Sequence, residues 1–452
     1  MKRTLITQSS NLIGETIEVV GWIQTVRSHG KIAFFDIYDR SGMLQVVAAT
    51  EETVMAASEL QQRTAVRVTG LIKNRGERYI NPNISTGKIE MEAKSIKVVA
   101  VSEVLPFDMG GKELNLELPT LLDYRSLTLK HETVRMIFTV QAALAQAFRD
   151  AAKELACTEI FVPTIAAGAT EGGAEVFPID YYGHQAFLTQ SPQLYKQIMV
   201  GVFERVFTIA KAYRAEPSVT TRHLAEATQM DIEMGFIEKF DELLDALEFV
   251  GTNMIKNVAE SHEYILKHFG VKKPLVPTHV PRLTLREAQK IVTERTGRDL
   301  SKENDLNPED EKEICLWAAE THKSDFVTIT HFPTKKRAFY TMPDPQNPEY
   351  SLSYDLLFRG LEILSGSQRI HEYDKLVEAM KKKNVSPSNF GMYLMAFKYG
   401  MPPEGGFSFG LERLTMKLLE LHNVREASLF PRDMERVDER LSSLEEEHST
   451  TH

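Results

Sequence analysis

The feature that most constrains the fold is a succession of short β-rich segments within the first hundred residues. Val, Ile, Phe and Thr predominate in five segments, and turn-forming residues separate them. The predicted strands are residues 16–26, 32–40, 43–49, 65–74 and 88–101, with a helix over 51–62 after the third strand. This layout predicts an OB-fold barrel, a fold that often binds oligonucleotides, although an SH3-like barrel has the same number of strands.

The remainder of the chain mixes helices and strands without a regular β-α-β alternation. Residues 132–155 are predicted to form an amphipathic helix, with Ile137, Val140, Leu144 and Phe148 on one stripe, and a strand that ends at Pro163 follows. Neither G-x-G-x-x-G nor G-x-x-x-x-G-K-[ST] occurs in the sequence. We therefore predict an α+β fold in which helices flank an antiparallel sheet, with helical insertions over 241–269 and 284–322.

Composition narrows the class of protein. The 452 residues carry a net charge of −10 and two cysteines, and no apolar run approaches the length of a membrane span. Neither a disulfide framework nor a signal peptide is indicated, so we expect a cytoplasmic enzyme with no membrane segment. Residues 1–100 carry 13 Lys/Arg against 10 Asp/Glu. This small excess of basic residues, in a chain that is acidic overall, suits a partner that is bound through local contacts, but chance could also produce it.

The domain organisation follows from these patterns. We predict a barrel domain over 1–104 and a linker or hinge over 105–130. A catalytic domain over 131–433 and an acidic, disordered tail over 434–452 complete the chain.

Three segments stand out. The first is the helix over 132–155 with the strand that ends at Pro163, the second is a strand with Arg214-Ala215-Glu216 and the loop that leads to Asp231, and the third is a glycine-containing segment before Arg413. A further segment, from Tyr354 to Arg369, lies between the second and the third. Taken singly, each is commonplace, because an Arg–Glu hairpin or a pair of acids on a strand is usually only a solvated surface.

Together and in this order, the segments resemble the motifs of class II aminoacyl-tRNA synthetases of subclass b. Within that class they are similar to the aspartate enzymes of the compact archaeal and eukaryotic type. The resemblance covers residues from about 16 to 433. It implies ATP-dependent activation of L-aspartate and its transfer to tRNA(Asp), with tRNA(Asn) as a further acceptor. It also implies Mg²⁺ as cofactor and a homodimer formed through the helix over 132–155 and the strand that ends at Pro163.

The resemblance assigns the nucleotide site. Adenylate formation develops negative charge at the α-phosphate, so cations must lie there. Arg214 matches the catalytic residue on the α-phosphate, and Arg413 matches the one on the γ-phosphate. The full ATP set comprises Arg214, Glu216, Arg222, His223, Leu224, Glu362, Gly410 and Arg413. Asp355, Glu362 and Ser365 match the ligands of Mg²⁺, which prefers hard oxygen atoms.

The amino-acid and anticodon sites also follow from the resemblance. The aspartate-binding set comprises Glu171, Gln193, Lys196, Asp231 and Arg369, with Glu171 in a glycine-flanked loop over 169–174 that closes over the substrate. The anticodon set comprises Arg27, Phe34, Gln45, Arg75 and Glu90. Phe34 offers a ring for a splayed base, and Gln45 offers an amide to a base edge.

The chain departs from the family pattern at three places. Ala227 stands where many relatives stack an aromatic ring on adenine. Either another ring, with His223 as the candidate, covers that face, or adenine is held more loosely. Ser408 replaces the first glycine of motif 3. The segment Pro217-Ser218-Val219 replaces acidic or polar residues, and we assign it no role.

Three rival functions remain. An asparagine–tRNA ligase is disfavoured because a neutral amide would leave Lys196 and Arg369 undercompensated. An enzyme that adenylates aspartate to make asparagine would not need the barrel. A non-catalytic paralogue would be expected to lose Arg214, Glu362 or Arg413, and all three are present.

Overall fold

The computed structural model describes residues 2–82, 84–168, 175–217 and 220–442. The chain divides into two compact units, Met1–Leu116 and Glu117–His452. Within the described residues, no helix is both long enough and apolar enough to cross a membrane.

The first unit is a closed five-stranded barrel. Its elements are β1 (Thr16–His29), β2 (Ile32–Tyr38), β3 (Met43–Ala48), α1 (Glu51–Ser58), β4 (Ala65–Asn74) and β5 (Ile89–Ala100). The strands pair in the order β1-β2-β3-β5-β4, and α1 follows the third strand. The predicted OB-fold is therefore confirmed, and the SH3-like alternative is excluded.

Alternate side chains along each strand point inward and fill the barrel. Residues such as Val19, Phe35, Val46 and Val68 point inward and are fully buried. The first strand is three residues longer than predicted, because pairing continues to His29 opposite Ile32 around a tight turn. That part of the strand is polar and exposed, so the hydrophobic pattern could not identify it.

The second unit contains the remaining helices and strands. Its first helices and strands are α2 (Leu118–Asp123), α3 (Arg125–Thr128), α4 (Glu132–Glu154), β6 (Thr158–Glu159), β7 (Ile165–Ala166), β8 (Pro178–Tyr181), β9 (His184–Leu188), α5 (Gln193–Phe203), β10 (Arg205–Tyr213) and β11 (Glu226–Gly235). They are followed by α6 (Phe240–Ser261), α7 (Glu263–His268), β12 (Arg282–Thr284), α8 (Leu285–Thr296), α9 (Pro308–His322), β13 (Phe326–Thr330), β14 (Ser353–Phe358), β15 (Leu361–Gln368), α10 (Tyr373–Lys382), α11 (Gly391–Lys398), β16 (Glu404–Gly410) and α12 (Leu411–Leu418).

An eight-stranded sheet organises this unit. Its order is β12-β13-β14-β15-β16-β11-β10-β6, and all pairs are antiparallel except those at the two edges, β12–β13 and β10–β6. A separate three-stranded sheet has the order β7-β9-β8. The predicted antiparallel sheet with flanking helices is confirmed.

Helices cover one face of the large sheet. The predicted stripe on α4 is buried, and it joins α6, α12 and the inward residues of β11 and β16 in one hydrophobic core. Met230 and Ile232 on β11 and Phe407 and Phe409 on β16 point into that core. The residues that alternate with them must point to the other face, where the candidate site lies.

The unit boundary differs from the predicted linker. Residues 118–128 form α2 and α3, and the buried Arg125 donates hydrogen bonds to the carbonyl oxygens of Glu426, Ser428 and Leu429. Within the segment predicted as the tail, Arg436 and Arg440 both pair with Asp123, and residues 443–452 lie outside the described residues. These polar contacts join residues that are far apart in the chain, so they leave no local sequence pattern.

Candidate active site

A cleft of about 570 Å³ lies on the sheet face opposite the helical core. Strands β10, β11, β15 and β16 form its floor, while α5 and the start of α12 supply further residues. The predicted site residues that line the cleft are Gln193, Lys196, Arg214, Glu216, Arg222, His223, Leu224, Asp231, Glu362, Ser365, Arg369, Gly410 and Arg413. Glu171 and its loop lie outside the described residues.

Lys196 lies at one end of the cleft, on the first turn of α5. Its side chain is almost completely buried, and Nζ lies 2.8 Å from Asp231 Oδ1 and 3.0 Å from Glu233 Oε2. Burial raises the pKa of Asp231, although Lys196 and Ser408 oppose the shift. Ser408 Oγ donates to Asp231 Oδ2 over 3.0 Å, so the serine that replaces a motif glycine holds this carboxylate in place.

Arg369 forms a second buried ion pair beside the first. Its Nε lies 2.7 Å from Glu233 Oε1, and its NH2 lies 3.2 Å from Glu233 Oε2, a bidentate arrangement. Burial alone would raise the pKa of Glu233, but Arg369 and Lys196 hold it below its usual value.

Glu233 was not predicted from the sequence. Its position removes the charge-based reason for disfavouring an asparagine–tRNA ligase. Lys196 and Arg369 already share two carboxylates in the protein, those of Asp231 and Glu233. A neutral substrate amide would therefore not leave two uncompensated cations. The position could have been found, because Glu233 is two residues after Asp231 on a strand and so faces the same side.

A further missed acid, Glu404, lies behind this group. It is fully buried and accepts a hydrogen bond from Gln197 Nε2 at 2.8 Å, while Tyr393 OH donates to Gln197 Oε1. Burial and the nearby Glu233 raise the pKa of Glu404 well above its usual value. This shift favours the neutral form of Glu404, which would leave the two cations and two carboxylates above it balanced.

Arginines concentrate at the other end of the cleft. Arg413 Nε donates to the carbonyl oxygen of Arg222, and Arg222 NH1 pairs with Glu311 Oε2 at 3.1 Å. Among the described residues, the Arg214 guanidinium has no carboxylate partner. Burial and Arg413 lower the pKa of His223, which favours the neutral ring. This end of the cleft suits an anion with several charges.

The predicted metal ligands are together, but an unpredicted residue contacts two of them. Asp355 and Ser365 are opposite each other on β14 and β15. Arg337 NH2 lies 2.8 Å from Asp355 Oδ2, and Arg337 NH1 donates to Ser365 Oγ at 3.1 Å. Arg337 stacks over the ring of Phe332 and lies on an irregular segment with no periodicity, so no sequence pattern indicated it.

The carboxylates at Glu362 and Asp355 are chemically suited to a divalent cation. Burial and the neighbouring Asp355 raise the pKa of Glu362 to about 7. Asp355 Oδ1 is buried with no hydrogen-bond partner. Two close carboxylates with an unpartnered oxygen are chemically suited to a hard cation, although in the described residues no group of three or more His, Cys, Asp and Glu forms a metal site alone.

The predicted anticodon residues cluster on the barrel. Arg27 is paired with Phe34 across β1 and β2, and Gln45 Nε2 donates to Glu90 Oε2 at 3.1 Å. Phe34 is half-buried, which leaves part of the ring accessible for stacking. Arg75 is buried instead of free, and its Nε donates to the carbonyl oxygen of Ile89 and lies 3.8 Å from Glu90. It therefore orients Glu90.

Family models match both units. Residues 117–434 match the tRNA synthetases of class II (D, K and N), and residues 17–99 match the OB-fold nucleic acid binding domain. The chain therefore belongs to the class II tRNA synthetases, with an N-terminal OB-fold domain.

Individual relatives cover nearly the whole chain. It is 40% identical over 443 residues to an aspartate–tRNA(Asp/Asn) ligase of Deinococcus radiodurans, covering 97% of this chain and 99% of the relative. It is 38% identical to an aspartate–tRNA(Asp) ligase of Pyrococcus horikoshii, covering 96% and 98%.

Solved structures agree with this assignment. The asparaginyl-tRNA synthetase of Pyrococcus horikoshii in complex with asparaginyl-adenylate superposes with a TM-score of 0.88 at 28% identity, covering 97% of this chain and 99% of that one. The aspartyl-tRNA synthetase of Entamoeba histolytica gives 0.85 at 28% identity, covering 97% and 93%.

Proposed function

We propose that the protein activates L-aspartate with ATP and transfers it to tRNA(Asp) and, more slowly, to tRNA(Asn). The observation that carries the proposal is the buried group of Lys196, Arg369, Asp231 and Glu233 at one end of a cleft whose other end is rich in arginine. The relatives named as aspartate–tRNA ligases support it.

The amino acid binds by exchanging partners within this group. The substrate ammonium pairs with Asp231, which releases Lys196 to face the β-carboxylate together with Arg369. The raised pKa of Glu404 favours its neutral form, so that the added carboxylate would meet no third negative charge beneath Glu233. Recognition is therefore a rearrangement of existing pairs, and it avoids leaving a buried charge uncompensated.

Activation takes place between the two ends of the cleft. The α-carboxylate attacks the α-phosphorus, and the bond from that phosphorus to the bridging oxygen breaks as pyrophosphate leaves. Arg214 stabilises the negative charge that develops there, and Arg413 with Arg222 holds the outer phosphates. Asp355, Glu362 and Ser365 would hold Mg²⁺, which neutralises phosphate charge when it is bound.

The same proposal includes recognition of the tRNA anticodon by the barrel. Phe34, Gln45 and Glu90 read the anticodon, with Arg27 and Arg75 in support. The cytoplasmic location stays a prediction.

A homodimer is supported by exposed apolar side chains beside the predicted strand. Phe161 is 89% exposed after β6, and Val202 and Phe236 are 63% and 67% exposed. We expect sedimentation at micromolar concentration to give a dimer, and Phe161→Asp to give a larger monomer fraction. A fully active monomer would contradict the assignment.

The decisive experiment is amino-acid-dependent exchange of pyrophosphate into ATP without tRNA. Aspartate should support exchange, and asparagine and lysine should not. Asparagine is the serious competitor, because the cations are already balanced and a structural relative binds asparaginyl-adenylate. Equal exchange with asparagine would overturn the assignment of substrate.

A further inference from the structure

A second cavity lies on the catalytic unit beside the cleft. Its volume is about 760 Å³, and it is bounded by α9, the end of α12, the turn between β14 and β15, and residues 272–275. Cys315, Met416 and Leu421 form an apolar part of the wall. None of the sequence-predicted residues lies in it except Arg222.

The wall of this cavity is strongly cationic although the chain as a whole is acidic. Six Lys or Arg residues line it, against two acids, Asp325 and Glu420. Both acids are engaged by Arg359, at 2.9 Å and 3.1 Å. Among the described residues, Lys272, Lys312 and Lys417 form no ion pair, so three ammonium groups around the cavity have no carboxylate partner.

Two of these lysines pack part of their side chains against the protein. Gly360 has a φ of +76°, and a Cβ atom there would lie 2.9 Å from Lys312 Cγ, so the Lys312 stem packs directly on the turn. Lys417 is half-buried, and burial together with Arg222 and Lys312 lowers its pKa. An ammonium group that is partly desolvated among other cations is stabilised by a bound anion.

Arg222 links the cavity to the active-site cleft. It lines both spaces, and its guanidinium pairs with Glu311 Oε2. In the cleft, the same guanidinium is proposed to hold the outer phosphates of ATP. A rotation of this side chain would therefore carry its charge from one space to the other.

We propose that this cavity is a binding site for pyrophosphate, bound by Lys312, Lys417 and Arg222 after the anion leaves the cleft. The inference rests on the proposed function, in which cleavage of the α–β linkage leaves pyrophosphate with the bonding electron pair on its bridging oxygen. The cavity receives that anion without further chemistry. Three cations in a concave wall suit an oligophosphate better than a single carboxylate.

The test separates this cavity from the active site. The cleft is first filled with a non-hydrolysable aspartyl-adenylate analogue, and pyrophosphate is then titrated calorimetrically. We expect one equivalent to bind, and the double variant Lys312→Ala/Lys417→Met to bind it about tenfold more weakly or worse, as expected for lost charge-assisted hydrogen bonds. The matched control is Lys256→Ala/Lys290→Met, two exposed lysines that line neither space.

Further measurements decide the identity of the ligand. Citrate, a trianion without phosphorus, should bind more weakly than pyrophosphate. In the ATP–pyrophosphate exchange assay the double variant should raise KM for pyrophosphate and leave KM for ATP and aspartate unchanged. Pyrophosphate binding that is equal in variant and wild type, or equal binding of citrate, would overturn the proposal. So would a double variant that loses only tRNA charging.

Failure of this proposal and failure of the proposed function give different results. If the protein does not activate aspartate, the exchange reaction fails, yet calorimetry on the free protein still reports whether Lys312 and Lys417 bind pyrophosphate.

Discussion

Lys196 is an ammonium group buried between two carboxylates, and this position ties substrate binding to stability. Loss of one partner from a buried ion pair typically costs about 3–5 kcal/mol, because the remaining charges stay desolvated. A variant at this residue therefore tests both roles at once.

We expect Lys196→Met to lower kcat/KM for aspartate by about 30-fold or more, since truncating a buried charge partner costs about 2–5 kcal/mol. KM for ATP should change little, and the melting temperature should fall. Steady-state exchange kinetics and thermal unfolding measure these effects. The control is Lys211→Met, which removes an exposed lysine that pairs with Glu226 on the neighbouring strand. Unchanged aspartate kinetics would exclude Lys196 from the site.

Glu404 predicts a pH dependence of stability. Its pKa in the folded protein is raised well above the ordinary value of 4.5, so the folded state keeps a proton that the unfolded chain releases above that pH. The folded state then binds more protons, and the free energy of unfolding falls as pH rises from about 4.5. Glu404→Gln should remove this contribution and flatten the profile.

Urea unfolding of wild type and Glu404→Gln from pH 5 to 8 measures the difference. Glu303→Gln, at an exposed glutamate, is the control. If the difference between wild type and Glu404→Gln is the same at every pH, Glu404 is ionised in the folded protein.

At the scale of elements, the pairing of β11 with β16 places the site. Gly406 is opposite Glu233, and a Cβ atom there would lie 2.1 Å from the carbonyl oxygen of Ile232 and 2.3 Å from Glu233 Oε2. The absence of a side chain at this position is what allows Glu233 to reach Arg369 and Lys196.

We therefore expect Gly406→Ala to displace Glu233, lower stability by roughly 1–3 kcal/mol and weaken aspartate activation strongly, as overpacking does. Gly201→Ala is the matched control. It lies in α5, where a Cβ atom would meet only Met401 Cε at 3.7 Å, and it should be neutral or stabilising. Denaturant unfolding and exchange kinetics compare the two variants. Equal behaviour would show that the close approach at Gly406 is unimportant.

The helices and strands also show which parts of the fold and of the site could be predicted from the sequence. The barrel, the antiparallel sheet and most cleft residues followed from strand periodicity and from motif order. Glu233 obeys the same periodicity as Asp231 and was overlooked, whereas Glu404 and Arg337 gain their surroundings from distant segments. Arg337 and Asp355 are 18 residues apart in the chain, so only the fold brings them together.

At the scale of the whole molecule, we expect the barrel to determine which tRNA is used. Aspartate and asparagine tRNAs differ in the anticodon only at the third base, cytosine or uracil. Glu90 is held by Gln45 and lies near Arg75, so its carboxylate can accept from the cytosine amino group, whereas uracil presents an acceptor there.

We expect tRNA transcripts with GUC and GUU anticodons in one body both to be charged with aspartate, the second more slowly. One base contact discriminates by about 1–3 kcal/mol, so the ratio of kcat/KM should stay below roughly 10³. Glu90→Gln should reduce the ratio, and Glu92→Gln, at a half-exposed glutamate two residues along β5, should not. A larger ratio, or one that Glu90→Gln leaves unchanged, would assign discrimination to another residue.

The ion pair of Arg337 with Asp355 has a consequence for the order of binding. The guanidinium acts as an internal counter-ion at the place where an inorganic cation is proposed. A free divalent ion must displace it and gains little net charge neutralisation, whereas a nucleotide offers the displaced guanidinium new phosphate partners. Cation and nucleotide are therefore expected to enter together, as one ion-exchange event, with a weaker dependence on ionic strength than an empty acidic site would have.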